Sequence, residues 1–173
     1  MDTVSTEVLV VGGGVTGLAV AREFSSLGHD VILVERNHRI AEEVSARNSG
    51  VIHAGFYYPK NSLKSSLCHQ GNQMIYRYCK SREIFTKRTG KLLLANSDDD
   101  NKKINQYIAN ADYYGGDPLL IKDKKTLKKI EPLVTAEFAM YSPETGIVDV
   151  HEFCNSLANE FVSLGGNLSL RTT

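Results

Sequence analysis

Residues 6–37, TEVLVVGGGVTGLAVAREFSSLGHDVILVERN, carry Gly12, Gly14 and Gly17 as G-x-G-x-x-G, and no other feature narrows the fold as far. Three glycines alone make only a tight turn, so their setting decides what they mean. Residues 7–12, EVLVVG, form an apolar run ending in glycine and read as a buried parallel strand. Val15, Leu18, Ala19, Ala21 and Phe24 then recur at helical spacing, and Gly28 supplies a helix stop. Residues 31–35, VILVE, read as a second buried strand closing on an acid. Strand, glycine turn, helix and strand within about thirty residues predict a Rossmann-like β-α-β nucleotide unit and an α/β fold.

Each part of the unit has a physical task. Gly12 permits the sharp turn, Gly14 lets a pyrophosphate approach the backbone, and Gly17 lets the helix pack closely on the strand. The helix start offers unpaired N–H groups and the positive end of the dipole to phosphates. Glu35 is placed to accept hydrogen bonds from adenosine ribose hydroxyls, and its charge would repel a 2′-phosphate, which disfavours NADP. Ala21, Gly28, Val31 and Glu35 all stand where the longer fingerprint G-x-G-x-x-G-x3-A-x6-G-x2-V-x3-E requires them. The unit by itself fits FAD and NAD alike.

Composition removes several function classes. Twenty basic side chains balance twenty acidic ones in 173 residues, so the net charge of zero gives no case for nucleic acid or an anionic membrane. Cys68, Cys79 and Cys154 are odd in number and form no CxxC pair, which argues against a disulfide framework or a metal site and for a reducing compartment. The uncharged run Val8–Ala21 is too short and glycine-rich to span a bilayer, and Asp2 and Glu7 precede it where a signal peptide is basic. With no targeting segment visible, a cytoplasmic or mitochondrial protein is expected. Peripheral membrane association stays open.

After Glu35 the chain reads NHRIAEEVSARNSGVIHAGFYYP, with small and polar residues from Ser45 to Gly50 that suit a long cofactor running beyond the first helix. SARNSGVIHAGFYYP and the following NSLKSSLC resemble the FAD-dependent oxidoreductases of the D-amino-acid oxidase and glycerol-3-phosphate dehydrogenase superfamily. Within it the L-2-hydroxyglutarate dehydrogenase type is the most similar. TGKLLLA, KKIEPLV and SPETGIVDVHEF extend the resemblance over nearly the whole chain.

The resemblance implies FAD as cofactor. Gly12, Gly13, Gly14, Val15, Thr16 and Gly17 would hold its pyrophosphate, Glu35 the ribose, and Arg36 would lie beside the adenosine. Ser45, Arg47, Asn48 and Ser49 would border the phosphates and the flavin. His53 would stand near the isoalloxazine as the base that takes a hydroxyl proton while hydride leaves Cα for flavin N5, a task that suits a near-neutral imidazole. The implied reaction is oxidation of a small 2-hydroxy acid, with L-2-hydroxyglutarate going to 2-oxoglutarate. Glycerol 3-phosphate or an amino acid is the alternative substrate, and an inactive dinucleotide- or partner-binding fragment is the alternative of another class. Tyr57, Tyr58, Lys60 and Arg88 are available for a dicarboxylate substrate, with a solvated strand-end role set against it for Lys60 and Arg88. The electron acceptor is not specified.

The remaining chain reads as an inserted α+β substrate domain. Positions 63, 67, 74, 75 and 78 give an amphipathic helix, with Tyr76 expected to pack into the core. Residues 85–95 read as strand or hairpin, and 97–116 as a helix with acids at its start and glycines at its end. The five lysines of KDKKTLKKIEP read as the solvated face of a helix that Pro132 ends. Two strands around SPETG and a helix over 151–164, capped through Asp149 and Glu152, precede a strand in GGNLSLRTT that returns to the parallel sheet. The expected division is 1–55 with 165–173 as an FAD-binding domain and 56–164 as a substrate domain. Three parallel strands with one intervening helix leave a sheet face uncovered, so the chain reads as an N-terminal portion, incomplete at its C-terminus.

Overall fold

The computed structural model describes residues 3–114 and 116–173, so Asp2 and Gly115, one of the glycines expected to end a helix, lie outside it. In chain order the elements are β1 (Val8–Val11), α1 (Val15–Ser26), β2 (Val31–Glu35), a 3₁₀ turn (Val44–Ala46) and β3 (Val51–Ile52). Next come α2 (Leu63–Ser81), β4 (Thr86–Lys87), β5 (Lys91–Ala95), α3 (Asp98–Tyr113) and β6 (Leu119–Ile121). They are followed by α4 (Lys124–Ile130), β7 (Phe138–Ser142), β8 (Gly146–Val148), α5 (Val150–Ser163) and β9 (Asn167–Leu170). Two compact units result: residues up to Gly50 with Asp149–Thr173, and Val51–Val148. α5 packs along α1 within the first of these units.

The first unit holds a parallel sheet in the order β1-β2-β9. β9 returns to β2 as its register with Ile32–Glu35 requires. α1 packs on β1 and β2, α5 packs on β9, and the two helices pack on each other. Leu18, Ala21, Val31, Leu33, Cys154, Leu157, Ala158 and Phe161 are buried in this unit. β1 departs from the expected buried strand, since Leu9 and Val11 are 58% and 79% exposed. β1 is an edge strand in this sheet, and these two residues alternate away from its more covered positions. On α1 the buried positions are Leu18, Ala21 and Ser25, while Ala19 and Phe24, read as part of the apolar face, are exposed.

The second unit holds two antiparallel sheets, β3-β8-β4 and β5-β7-β6. β4 and β5 pair with different sheets, and so do β7 and β8, so neither 85–95 nor 136–148 is a hairpin. Ala54, Phe56, Ala95, Ile104 and Met140 form one apolar core with α3, and Ile121, Leu127, Ala136 and Ala139 form another under α4. Ser97 and Asp123 cap α3 and α4 through their side chains, and the lysines of α4 are exposed. Asp149 caps α5 by accepting from the Glu152 amide at 2.9 Å. α2 inverts the expected pattern. Leu63, Leu67 and Met74 are exposed, whereas the polar Ser65 and Asn72 are buried. These polar groups serve backbone carbonyls ahead of the helix, which apolar side chains could not do. Among the described residues no helix is long and apolar enough to cross a membrane.

Candidate functional site

The glycine turn follows β1 directly. The Gly12 amide donates to the Val34 carbonyl at 2.8 Å, and Gly12 takes φ of +106°, where a side chain would be strained. A Cβ on Gly17 would overlap the Gly12 carbonyl oxygen, so α1 starts hard against the strand end. Glu35, at the end of β2, reaches back to this turn. Its Oε2 accepts from the Gly13 amide at 2.7 Å and its Oε1 from the Asn37 amide at 2.8 Å. The Asn37 N–H is the main cause holding this carboxyl below the usual range, with the Gly13 N–H acting in the same sense against burial. Ser45 Oγ accepts from the Val15 amide at 3.0 Å, which ties the 3₁₀ turn to the start of α1.

Several groups assigned to a ligand in the sequence thus already hold protein partners. Each Glu35 oxygen keeps a further lone pair for a hydroxyl. Helix geometry leaves the amides of Thr16 and Gly17 without intrahelical acceptors. Arg36 pairs with Glu43 at 3.4 Å. Asn48 folds its own loop, donating to the Ser45 carbonyl at 2.8 Å and accepting from the Gly50 amide at 2.8 Å. Arg47 and Ser49 are exposed.

A cavity of about 720 Å³ opens beside the turn, lined by Leu9, Val11, Gly12, Gly14, Val34, Glu35, Arg36, Glu43, Thr172 and Thr173. Its apolar floor, its side-chain-free glycines and its carboxylate match the adenosine and phosphate chemistry of a dinucleotide. A Cβ on Gly14 would stand 3.2 Å from Ser45 Oγ, filling part of this cradle. Glu43 and Thr172 were not read as site residues. Only the pairing of β9 with β2, which places the Thr172 amide on the Glu35 carbonyl at 3.0 Å, brings the C-terminal threonines here.

In the second unit, His53 follows β3 with its side chain exposed. Partial desolvation and the nearby cations Lys91 and Lys64 push its pKa below the ordinary histidine value, which favours the neutral imidazole. Its carbonyl accepts from Asn72 Nδ2 at 3.1 Å and from Cys68 Sγ at 3.7 Å. Burial raises the Cys68 thiol pKa, which suits a donor rather than a nucleophile. Tyr57 packs against Phe56 and Tyr107, and Lys64 sits 4.3 Å from the ring centre of Tyr58. Arg88 stacks 4.1 Å from the ring centre of Tyr76 and lines a separate cavity of about 540 Å³ with Gln73, Arg77 and Lys80. The described residues lining that cavity do not include His53, Tyr57 or Tyr58. Among the described residues no three His, Cys, Asp or Glu side chains gather as a metal site.

Residues 7–173 match the family model described as FAD dependent oxidoreductase. Proteins named "L-2-hydroxyglutarate dehydrogenase, mitochondrial" are 36% identical over 170 residues in Arabidopsis thaliana and 38% over 165 residues in Nematostella vectensis. The match covers 95% and 94% of this chain but 35% and 36% of those relatives, so the chain spans little more than a third of their length. Among solved structures, FAD-bound L-alpha-glycerophosphate oxidase of Mycoplasma pneumoniae superposes with a TM-score of 0.89 at 23% identity, covering 98% of this chain and 46% of that one. L-proline dehydrogenase of P. horikoshii gives 0.87 at 23% identity, over 98% of this chain and 45% of that one. These likenesses show the fold.

Proposed function

The chain belongs to the FAD-dependent oxidoreductase family, and from that premise we propose that it carries the FAD-binding turn and the catalytic base of an enzyme that oxidises a small 2-hydroxy acid, L-2-hydroxyglutarate to 2-oxoglutarate. The observation that carries the substrate choice is the similarity, at 31–38% identity along nearly the whole chain, to proteins named L-2-hydroxyglutarate dehydrogenase. Their mitochondrial names support the same compartment here.

When bound, FAD supplies the hydride acceptor. The rest falls to the chain's own residues. Gly12 and Gly14 would leave the backbone bare for the pyrophosphate, and the amides of Thr16 and Gly17, at the positive end of α1, would donate to it. Glu35 accepts from ribose hydroxyls with the lone pairs that Gly13 and Asn37 leave free. His53, whose neutral form its surroundings favour, accepts the substrate hydroxyl proton as the Cα–H bond breaks with its electron pair and the carbon–oxygen double bond forms. Lys64 and Lys91, which favour the neutral imidazole, also supply positive charge for a carboxylate substrate.

Anaerobic mixing of the FAD-loaded protein with L-2-hydroxyglutarate tests the proposal. Bleaching of the flavin absorbance is expected, and His53→Ala should slow it at least about a hundredfold, the usual weight of a general base, with FAD retained. Bleaching by glycerol 3-phosphate or an amino acid but not by L-2-hydroxyglutarate would overturn the substrate. An unslowed His53→Ala protein would remove the base.

A further inference from the structure

The segment His53–Tyr58 leaves β3 with its backbone outside any sheet ladder, so its carbonyls need partners from elsewhere. Three buried polar side chains supply them. Asn72 Nδ2 donates to the His53 carbonyl at 3.1 Å, and Ser65 Oγ to the Gly55 carbonyl at 3.3 Å. Asn110 Nδ2 donates to the carbonyls of Phe56 at 3.1 Å and Tyr58 at 3.3 Å. Asn72 also donates to the Glu144 carbonyl at 3.1 Å, which fastens the same point to the turn between β7 and β8.

Two features set this apart from ordinary packing. α2 leaves Leu63 74% exposed while burying Asn72 to 3% on the same side as Cys79, so a polar side chain holds a place on the buried face that a leucine does not. Moreover, Asn72 Oδ1 is buried with no hydrogen-bond partner. An unsatisfied buried acceptor is unfavourable, so the position is held for the two N–H groups that the side chain donates. No hydrogen bond from the described residues reaches the His53 imidazole itself. Its backbone therefore fixes where the ring stands against Lys64 on α2 and Lys91 on β5, while the Cys68 thiol sits on the His53 carbonyl.

We propose that Asn72 is a positioning residue for His53: with Ser65 and Asn110 it clamps the backbone of the His53–Tyr58 segment and thereby sets the place of the base. The proposal rests on the reading of His53 as that base.

The test is an NMR titration of the five histidines in the chain, for the parent, Asn72→Leu, and Leu127→Ala as an equally buried control in the other core. In Asn72→Leu the His53 midpoint should rise toward the ordinary histidine value. Amide exchange across residues 54–58 should quicken about tenfold, the factor for one lost hydrogen bond. Leu127→Ala should change neither. In the FAD-loaded protein, Asn72→Leu should slow flavin reduction and shift its acid limb upward, with FAD affinity unchanged. A folded Asn72→Leu chain with an unmoved His53 midpoint and unchanged exchange would overturn the clamp. If that variant does not fold, Asn72→Ser, too short to reach both carbonyls, is judged by the same criteria. The titration needs no turnover, so it stands apart from the His53→Ala result: an active His53→Ala protein removes the base and, with it, Asn72's role, even where the clamp itself is intact.

Discussion

Gly17 has no room for a methyl group, because an added Cβ would overlap the Gly12 carbonyl oxygen, which is backbone and cannot swing aside. Gly17→Ala should therefore cost about 1–3 kcal/mol, the range for forced overpacking, and weaken FAD binding; equilibrium urea unfolding and flavin titration read the two effects. An unchanged midpoint would show that α1 can retreat from the strand. Glu35 is the second residue on which the turn depends. Its pKa is depressed by the Asn37 and Gly13 amides, so its contribution to stability is present above the ordinary carboxyl value of about 4.3 and is lost as pH falls through the depressed folded value. Urea midpoints should fall in acid for the parent and fall less for Glu35→Gln, which has no titrating group there. Parallel acid profiles for the two proteins would place the sensitivity elsewhere.

At the scale of elements, periodicity told helix from strand, but the neighbour on each element decided which side was buried. α1 was legible as a helix from Val15 and Leu18 onward, yet its covered side runs through Leu18, Ala21 and Ser25 because α5 lies there. Nothing in residues 15–27 announces α5, more than 120 residues away in the chain. In the same way Lys91–Ala95 reads as a strand but does not name Phe138–Ser142 as its partner, since pairing is a long-range choice. The sharp turn at Gly12 and the close approach at Gly17 were legible because their constraints are local and steric. α2 misled most, since its leucines and Met74 face outward and its buried side answers to carbonyls in residues 53–58. Leu67→Lys should accordingly change stability by no more than about 0.5 kcal/mol, as exposed sites do. Phe161→Ala on α5, a fully buried ring against which Gly166 packs, should cost about 3–5 kcal/mol. Thermal melts of the two variants should diverge widely; a large loss for Leu67→Lys would restore the apolar face to the core.

For the molecule as a whole, the apolar surface on β1 needs an explanation that packing within the chain does not give. Leu9 and Val11 are exposed, and both line the cavity with Gly12, Gly14 and Glu35. A bound adenosine would cover them, which turns an unfavourable surface into a binding one. A ligand that binds only the folded chain stabilises it by mass action, by about 2.7 kcal/mol at a hundredfold excess over Kd. For a chain of this size each kcal/mol moves Tm by about 2–4 °C, so FAD at that excess should raise Tm by about 5–10 °C. Val11→Ser separates the ligand's use of this face from the fold's. Because Val11 is 79% exposed, the variant without FAD should melt within about 0.5 kcal/mol of the parent, while FAD added at the same concentration should raise its Tm distinctly less. Equal gains for parent and variant would mean that the adenosine does not rest on β1, and the exposed valine would then belong to some other contact.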